Sequence, residues 1–147
     1  VGIDANPFMI EYAQEKSKNN PCISFEQINI FSQEFKTQKF DFLLCSLFCH
    51  HFTDEQLVLM LSQLAKQSKK ALIINDLHRN YLAYYGIYIL TRVFNGSRLV
   101  KNDAPLSVKR AFQYKDSIHI FEKAGIKNYE IRWKWAFRWQ IIIDAEK

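Results

Sequence analysis

Glycine and proline are scarce in this chain, with 4 Gly and 3 Pro among 147 residues. So few chain breakers exclude a flexible linker or low-complexity tract, and no internal repeat is visible. Cysteine is scarce and odd in number: Cys22, Cys45 and Cys49 lie in apolar or strand-like contexts. That argues against a disulfide scaffold and for a reduced protein, so a cytoplasmic location is expected. The most apolar stretch, Tyr81 to Leu90, falls far short of the roughly 20 residues that a bilayer span needs, and no signal peptide is visible. The net charge is +5, yet no run of five or more basic residues occurs. The excess therefore reads as a solvated basic surface.

What is present is a large apolar fraction, 48%, enough for one domain with a real core. Residues 1–3 form a short strand ending in Asp4, and Asn6 with Pro7 supplies an N-cap and first helical residue. Phe8 with Tyr12 and Met9 with Ala13 mark a helix to about Ser17. "ISFEQINI" (23–30) alternates like a strand. "FDFLLCSLF" (40–48) is a near-continuous apolar run, expected to be a strand buried on both faces. Thr53 and Gln56 form a capping-box pattern, followed by Leu57, Met60, Leu61 and Leu64 at helical spacing. "KKALIIND" (69–76) predicts another buried strand. Alternating strands and helices with short joints predict a parallel sheet covered by helices. Tyr81 to Phe94 reads as a helix, apolar almost all round and so expected to be covered. Residues 95–112 read as a long irregular segment. A helix from about Asp116 stops at Gly125, and 128–144 reads as an antiparallel hairpin turning near Ala136.

A carboxylate at the end of an early strand is where nucleotide-binding α/β folds hold ribose hydroxyls, with a glycine-rich turn about 20 residues upstream. Two stretches, "GIDANPFMIEYA" and "FDFLLCSLFCHHF", with the hairpin behind them, resemble the class I S-adenosylmethionine-dependent methyltransferases. The first is similar to that family's acidic-loop motif and the second to its fourth-strand motif. The likeness runs from the family's second strand to its last. It implies a Rossmann-like, doubly wound, mostly parallel α/β sheet with helices on both faces and a C-terminal antiparallel hairpin. On this alignment the first β-α unit and its glycine turn are absent, and the expectation is a single, N-terminally truncated domain over 1–147. The resemblance implies S-adenosyl-L-methionine as cofactor. Asp4 would bind the ribose, Ala5 and Met9 would lie against the adenine, and Asn29 with Ile30 would stand at the adenine amino contact. Ser46 and Leu47 would meet the methionine end. Asn29 stands where the family commonly has Asp, which weakens that contact.

Methyl transfer to a hydroxyl or an acidic carbon needs a base. His50, His51 and His78 follow buried strands, at the carboxyl edge where open α/β sheets bind ligands. His51 is the first candidate because it follows the fourth-strand motif, and His50 the second; His119, inside a helix, reads as structural. A zinc site built from Cys45, Cys49, His50 and His51 is disfavoured, because no second ligand pair exists, so no metal is expected. After the fourth strand, "SLFCHH" lacks the sequences of DNA-base methylases. With Tyr84, Tyr85 and Tyr88 nearby, the resemblance points to a small, flat, apolar or aromatic acceptor, methylated on oxygen or carbon. Two alternatives stay open: a binding module that kept the fold without the cofactor, and an RNA or protein methyltransferase.

Overall fold

The computed structural model describes residues 1–145. They form two compact units, Val1–Gln38 and the residues from Lys39 onward. In the first unit, β1 (Gly2–Asp4) pairs in parallel with β2 (Phe25–Gln27), joined by helix α1 (Pro7–Ser17) and followed by the short α2 (Gln33–Lys36). The expected N-cap is there: the Asn6 side chain accepts from the Phe8 N–H, with Pro7 opening the helix. The second strand is shorter than the alternation over 23–30 predicts. Asn29 leaves the ladder to make a local turn, its side-chain oxygen accepting from the Phe31 N–H at 3.0 Å.

The second unit holds a four-stranded sheet in the order β3 (Phe40–Ser46), β4 (Ser68–Leu77), β6 (Arg138–Asp144), β5 (Tyr129–Lys134). β3 and β4 are parallel, while β6 runs antiparallel to both β4 and β5. The C-terminal hairpin thus docks through its second strand. Helices α3 (Asp54–Gln67) and α6 (Tyr114–Ala124) pack together. Leu57, Met60, Leu61 and Leu64 are buried, as are Leu72, Ile74, Ile120, Phe121, Ile141 and Ile143. Gly125 ends α6 at φ +73°, the left-handed cap expected there.

The capping box at the start of α3 is complete. The Thr53 hydroxyl accepts from the Gln56 N–H at 3.4 Å, and the Gln56 side chain accepts from the Thr53 N–H at 3.0 Å. Thr53→Ala is expected to cost about 1 kcal/mol of unfolding free energy, read from urea denaturation midpoints at constant slope.

Three expectations need correction. β3 is not buried on both faces: Cys45 is buried, but Phe42 and Leu44 on the alternate face are 59% and 68% exposed. Among the described residues β3 pairs only with β4, and the Lys70 ammonium lies over the Phe42 ring. Residues 95–112 are not irregular but carry helix α5 (Arg98–Arg110), capped by Ser97, with Pro105 inside it. One proline removes one N–H, and the turns on either side sustain the helix. The Tyr81 segment is helical as α4 (Tyr81–Val93) but is not covered all round: its inner face packs on α5, and its outer face is exposed. No helix among the described residues is long and apolar enough to cross a membrane.

Candidate functional site

In the first unit the carboxyl ends of β1 and β2 lie side by side. Asp4 is in register with Gln27, and the Ile28 N–H donates to the Asp4 carbonyl at 3.0 Å. This sets Asp4, Ala5, Asn29 and Ile30 along one edge, with Met9 in the first turn of α1. Asp4 is exposed, and its Oδ1 accepts from the Asn6 N–H at 2.8 Å. The Ala5 carbonyl accepts from the Gln27 side-chain amide at 3.2 Å, so Gln27 fixes the loop that carries Asp4. Met9 is 46% exposed. Asn29 spends one lone pair of its side-chain oxygen on Phe31, leaving the amide hydrogens and a second lone pair for other partners.

In the second unit the parallel register puts Ser46 beside Asn75. The Leu47 N–H donates to the Asn75 carbonyl at 2.9 Å, and Leu47 then turns the chain through φ +51°. A non-glycine residue in that region is strained, a feature concentrated at functional sites. The turn feeds a single 3-10 turn, Cys49–His51, built around Asp76 at the end of β4.

Asp76 is fully buried. Its Oδ2 accepts from the backbone N–H groups of Phe48 (3.1 Å), Cys49 (2.7 Å) and His50 (3.3 Å). Its Oδ1 accepts from the Leu77 N–H at 2.7 Å and meets His50 Nδ1 at 2.6 Å. Burial alone pushes this carboxyl up. The bonds from His50, Leu77 and Cys49 outweigh it and hold Asp76 below the usual carboxylate range. An ionised carboxylate can only accept, so His50 Nδ1 carries the hydrogen of that bond. In neutral His50 the lone pair is then on Nε2.

The two adjacent histidines have different surroundings. His50 is 5% exposed and tied to Asp76. His51 is exposed and its ring lies 4.1 Å from that of His50. Partial desolvation, then the neighbouring His50, lower the His51 pKa, with Asp76 opposing. His78, at the end of β4, lies against Trp139 at 4.7 Å; burial lowers its pKa, and its Nδ1 is a buried ring nitrogen without a partner among the described residues. Cys49 is buried; a hydrogen bond to Cys45, then burial, raise its thiol pKa well above normal, which keeps it protonated and unreactive. Of the sequence candidates, Ser46, Leu47, His50 and His51 thus gather at the carboxyl ends of β3 and β4. Asp76 was not among the candidates. The signal available for it was the single acid at the end of the "ALIIND" run.

The sequence profile of the family described as "Methyltransferase domain" matches residues 1–130. Carboxy-S-adenosyl-L-methionine synthase of Campylobacter jejuni is 27% identical over 92% of this chain, in two strains. The chain spans 62% of the length of those relatives. Among solved structures, the plantazolicin methyltransferase BpumL in complex with SAH is similar at TM-score 0.71 and 14% identity, covering 99% of this chain and 66% of that one. Magnesium protoporphyrin IX methyltransferase from Synechocystis with bound SAH is similar at TM-score 0.59 and 18% identity, covering 99% of this chain and 63% of that one. These likenesses show a Rossmann-like methyltransferase fold with mixed sheets. With its profile match extending over most of its length, the chain belongs to the methyltransferase-domain family.

Proposed function

We propose that this chain takes part in S-adenosylmethionine-dependent methyl transfer to a small, apolar or aromatic acceptor, on oxygen or carbon. The observation that carries the reading is the buried Asp76–His50 pair at the carboxyl end of the β3–β4 pair. Structures similar to this chain include methyltransferases bound to SAM or SAH. The cofactor, when bound, supplies an electrophilic methyl group for in-line displacement.

The residues of the first unit fit the nucleoside end of that cofactor by their donor chemistry. Asp4 Oδ1 is engaged by Asn6, and Oδ2 has no partner among the described residues, so the carboxylate can accept from vicinal ribose hydroxyls. Ala5 and Met9 offer an apolar surface to the adenine, while Asn29 and Ile30 border its amino group. In the second unit, Ser46 and the backbone of Leu47 stand at the carboxyl end of the β3–β4 pair, beside His50. His50 receives the acceptor's proton at Nε2, while Asp76 fixes the ring and its tautomer. Of the two histidines, the geometry favours His50. His51, the first candidate by sequence position, flanks it and helps exclude water. Tyr84, half-buried on α4, offers a ring to a flat acceptor.

Calorimetric titration of the chain with S-adenosylhomocysteine tests the cofactor reading. Binding is expected, and Asp4→Ala should weaken it about 10–100-fold, the value of hydrogen bonds to a charged group. Absence of binding at millimolar ligand removes the reading. The Campylobacter relatives are named for a carboxylated form of the same cofactor. Markedly tighter binding of carboxy-S-adenosylmethionine than of S-adenosylmethionine would replace methyl transfer by chemistry on that compound.

A further inference from the structure

The outer face of α4 is apolar and uncovered. Tyr81, Leu82, Tyr85, Ile89 and Val93 lie on one side of the helix and are 57–84% exposed, and Phe94 just beyond its end is 77% exposed. Surfaces of this kind on a folded chain mark an interaction site. The same helical hairpin holds most of the chain's charge excess. From Asn80 to Arg110 there are five basic residues, Arg92, Arg98, Lys101, Lys109 and Arg110, against a single acid, Asp103. That is a surplus of four out of the chain's net +5. The remaining hundred or so residues are close to neutral.

We propose that the α4–α5 hairpin is a docking surface for an anionic lipid bilayer, lying in the interface plane without crossing it. The physical match has three parts. An apolar face with tyrosines suits the boundary between headgroups and acyl chains, where an amphipathic ring keeps its hydroxyl wet. Basic side chains on the same hairpin are drawn to anionic headgroups, each adding to affinity within a Debye length. Arg92 illustrates the pairing: its guanidinium lies 3.3 Å from the centroid of the Tyr88 ring, so charge and aromatic surface form one patch. A second copy of the chain is a poorer occupant. A two-fold contact through this hairpin would set the basic surplus against itself. The inference does not depend on the methyl-transfer reading: of the basic residues counted, Arg110 bears on His51, while the apolar face of α4 and the residues substituted in the test below are outside the Asp4 and His50 clusters.

Sedimentation of the full chain with vesicles is the test, using phosphatidylcholine alone or mixed equally with phosphatidylglycerol. Partitioning onto the mixed vesicles is expected to be at least about tenfold stronger and to fall as salt rises past 0.15 M, where the Debye length is about 8 Å. Leu82→Asp with Val93→Asp should reduce it about tenfold or more, and Arg98→Glu with Lys101→Glu should abolish the preference for anionic lipid, each with unchanged far-UV circular dichroism. Phe42→Asp with Leu44→Asp, which alters the exposed apolar face of β3, should leave partitioning intact. Three results overturn the proposal: equal binding to neutral vesicles, an equal loss in the β3 variant, or no vesicle binding together with a concentration-dependent dimer that Leu82→Asp dissolves.

Discussion

Asp76→Ala is expected to lower the unfolding free energy by about 3–5 kcal/mol, the range for breaking a buried ionic pair from one side. The substitution orphans four backbone N–H groups and the His50 ring at once, around a carboxylate that is itself fully buried. Asp76→Asn separates the two jobs of the residue. One amide oxygen can still serve either the Phe48–His50 turn or Leu77, but the NH2 must then face donors. With the oxygen on the three N–H groups of the turn, the larger set, the NH2 faces the Leu77 N–H and His50, and the ring answers by moving its hydrogen from Nδ1 to Nε2. Part of the stability therefore returns in the Asn variant, while the ring is left in the tautomer that cannot take a proton at Nε2. The acid limb follows from the sign of the shift. The folded carboxyl lies below its unfolded value of about 3.9, so its contribution is full above that pH and is lost as pH falls through the depressed folded value. The stability gap between the native chain and Asp76→Asn should thus be constant near neutrality and close below about pH 4. A gap of under about 1 kcal/mol at pH 7, close to the worth of one ordinary neutral hydrogen bond, would show that the carboxylate does not hold the turn.

The features legible in the sequence are those whose cause is local. Asn6 and Pro7 start α1, Thr53 and Gln56 start α3, and Gly125 ends α6 because each works through atoms within a few residues. Burial is not local in this sense. Phe42 and Leu44 are as apolar as the core residues of β4, but only what lies across the strand decides whether they meet protein or water. The same holds for α4, whose composition is apolar on nearly every side and whose outer face is nonetheless exposed. α5 is masked in the sequence because Asn95, Gly96 and Pro105 all signal breaks: Asn95 and Gly96 close α4 by donating to the Arg92 and Thr91 carbonyls, whereas Pro105 lies inside α5, which Ser97 caps. Asp76 escaped for a different reason. Its partners Phe48, Cys49 and His50 are 26–28 residues away, and only the parallel register of β3 with β4 brings them into reach. The histidine pair was visible as a motif, but the difference between its members was not. A ring position in the sequence says nothing about which nitrogen is held.

His50→Gln is expected to lower kcat for methylation of a phenolic acceptor, with catechol as the probe, by about 10²–10⁴-fold, the usual contribution of a positioned general base. Affinity for S-adenosylhomocysteine should change little, because His50 is not among the residues assigned to that ligand. His51→Gln should keep most of the rate. Its ring is exposed and no carboxylate fixes its hydrogen, so losing it removes packing from one side of His50 and no proton path. The pH profile discriminates further. Partial desolvation and the neighbouring imidazole set the His51 pKa below the ordinary histidine value of about 6.5. If His51 were the base, the acidic limb of kcat/KM would fall below that value and vanish in His51→Gln. If His50 is the base, the rate survives His51→Gln and is lost in His50→Gln. Asp76→Asn then gives the independent check: a residue acting only on the fold would alter the melting temperature and leave the limb alone, whereas one that fixes the tautomer must depress kcat in the chains that remain folded. Loss of rate in His51→Gln with retention in His50→Gln would move the proton acceptor one residue along the chain, to a side chain that Asp76 does not hold.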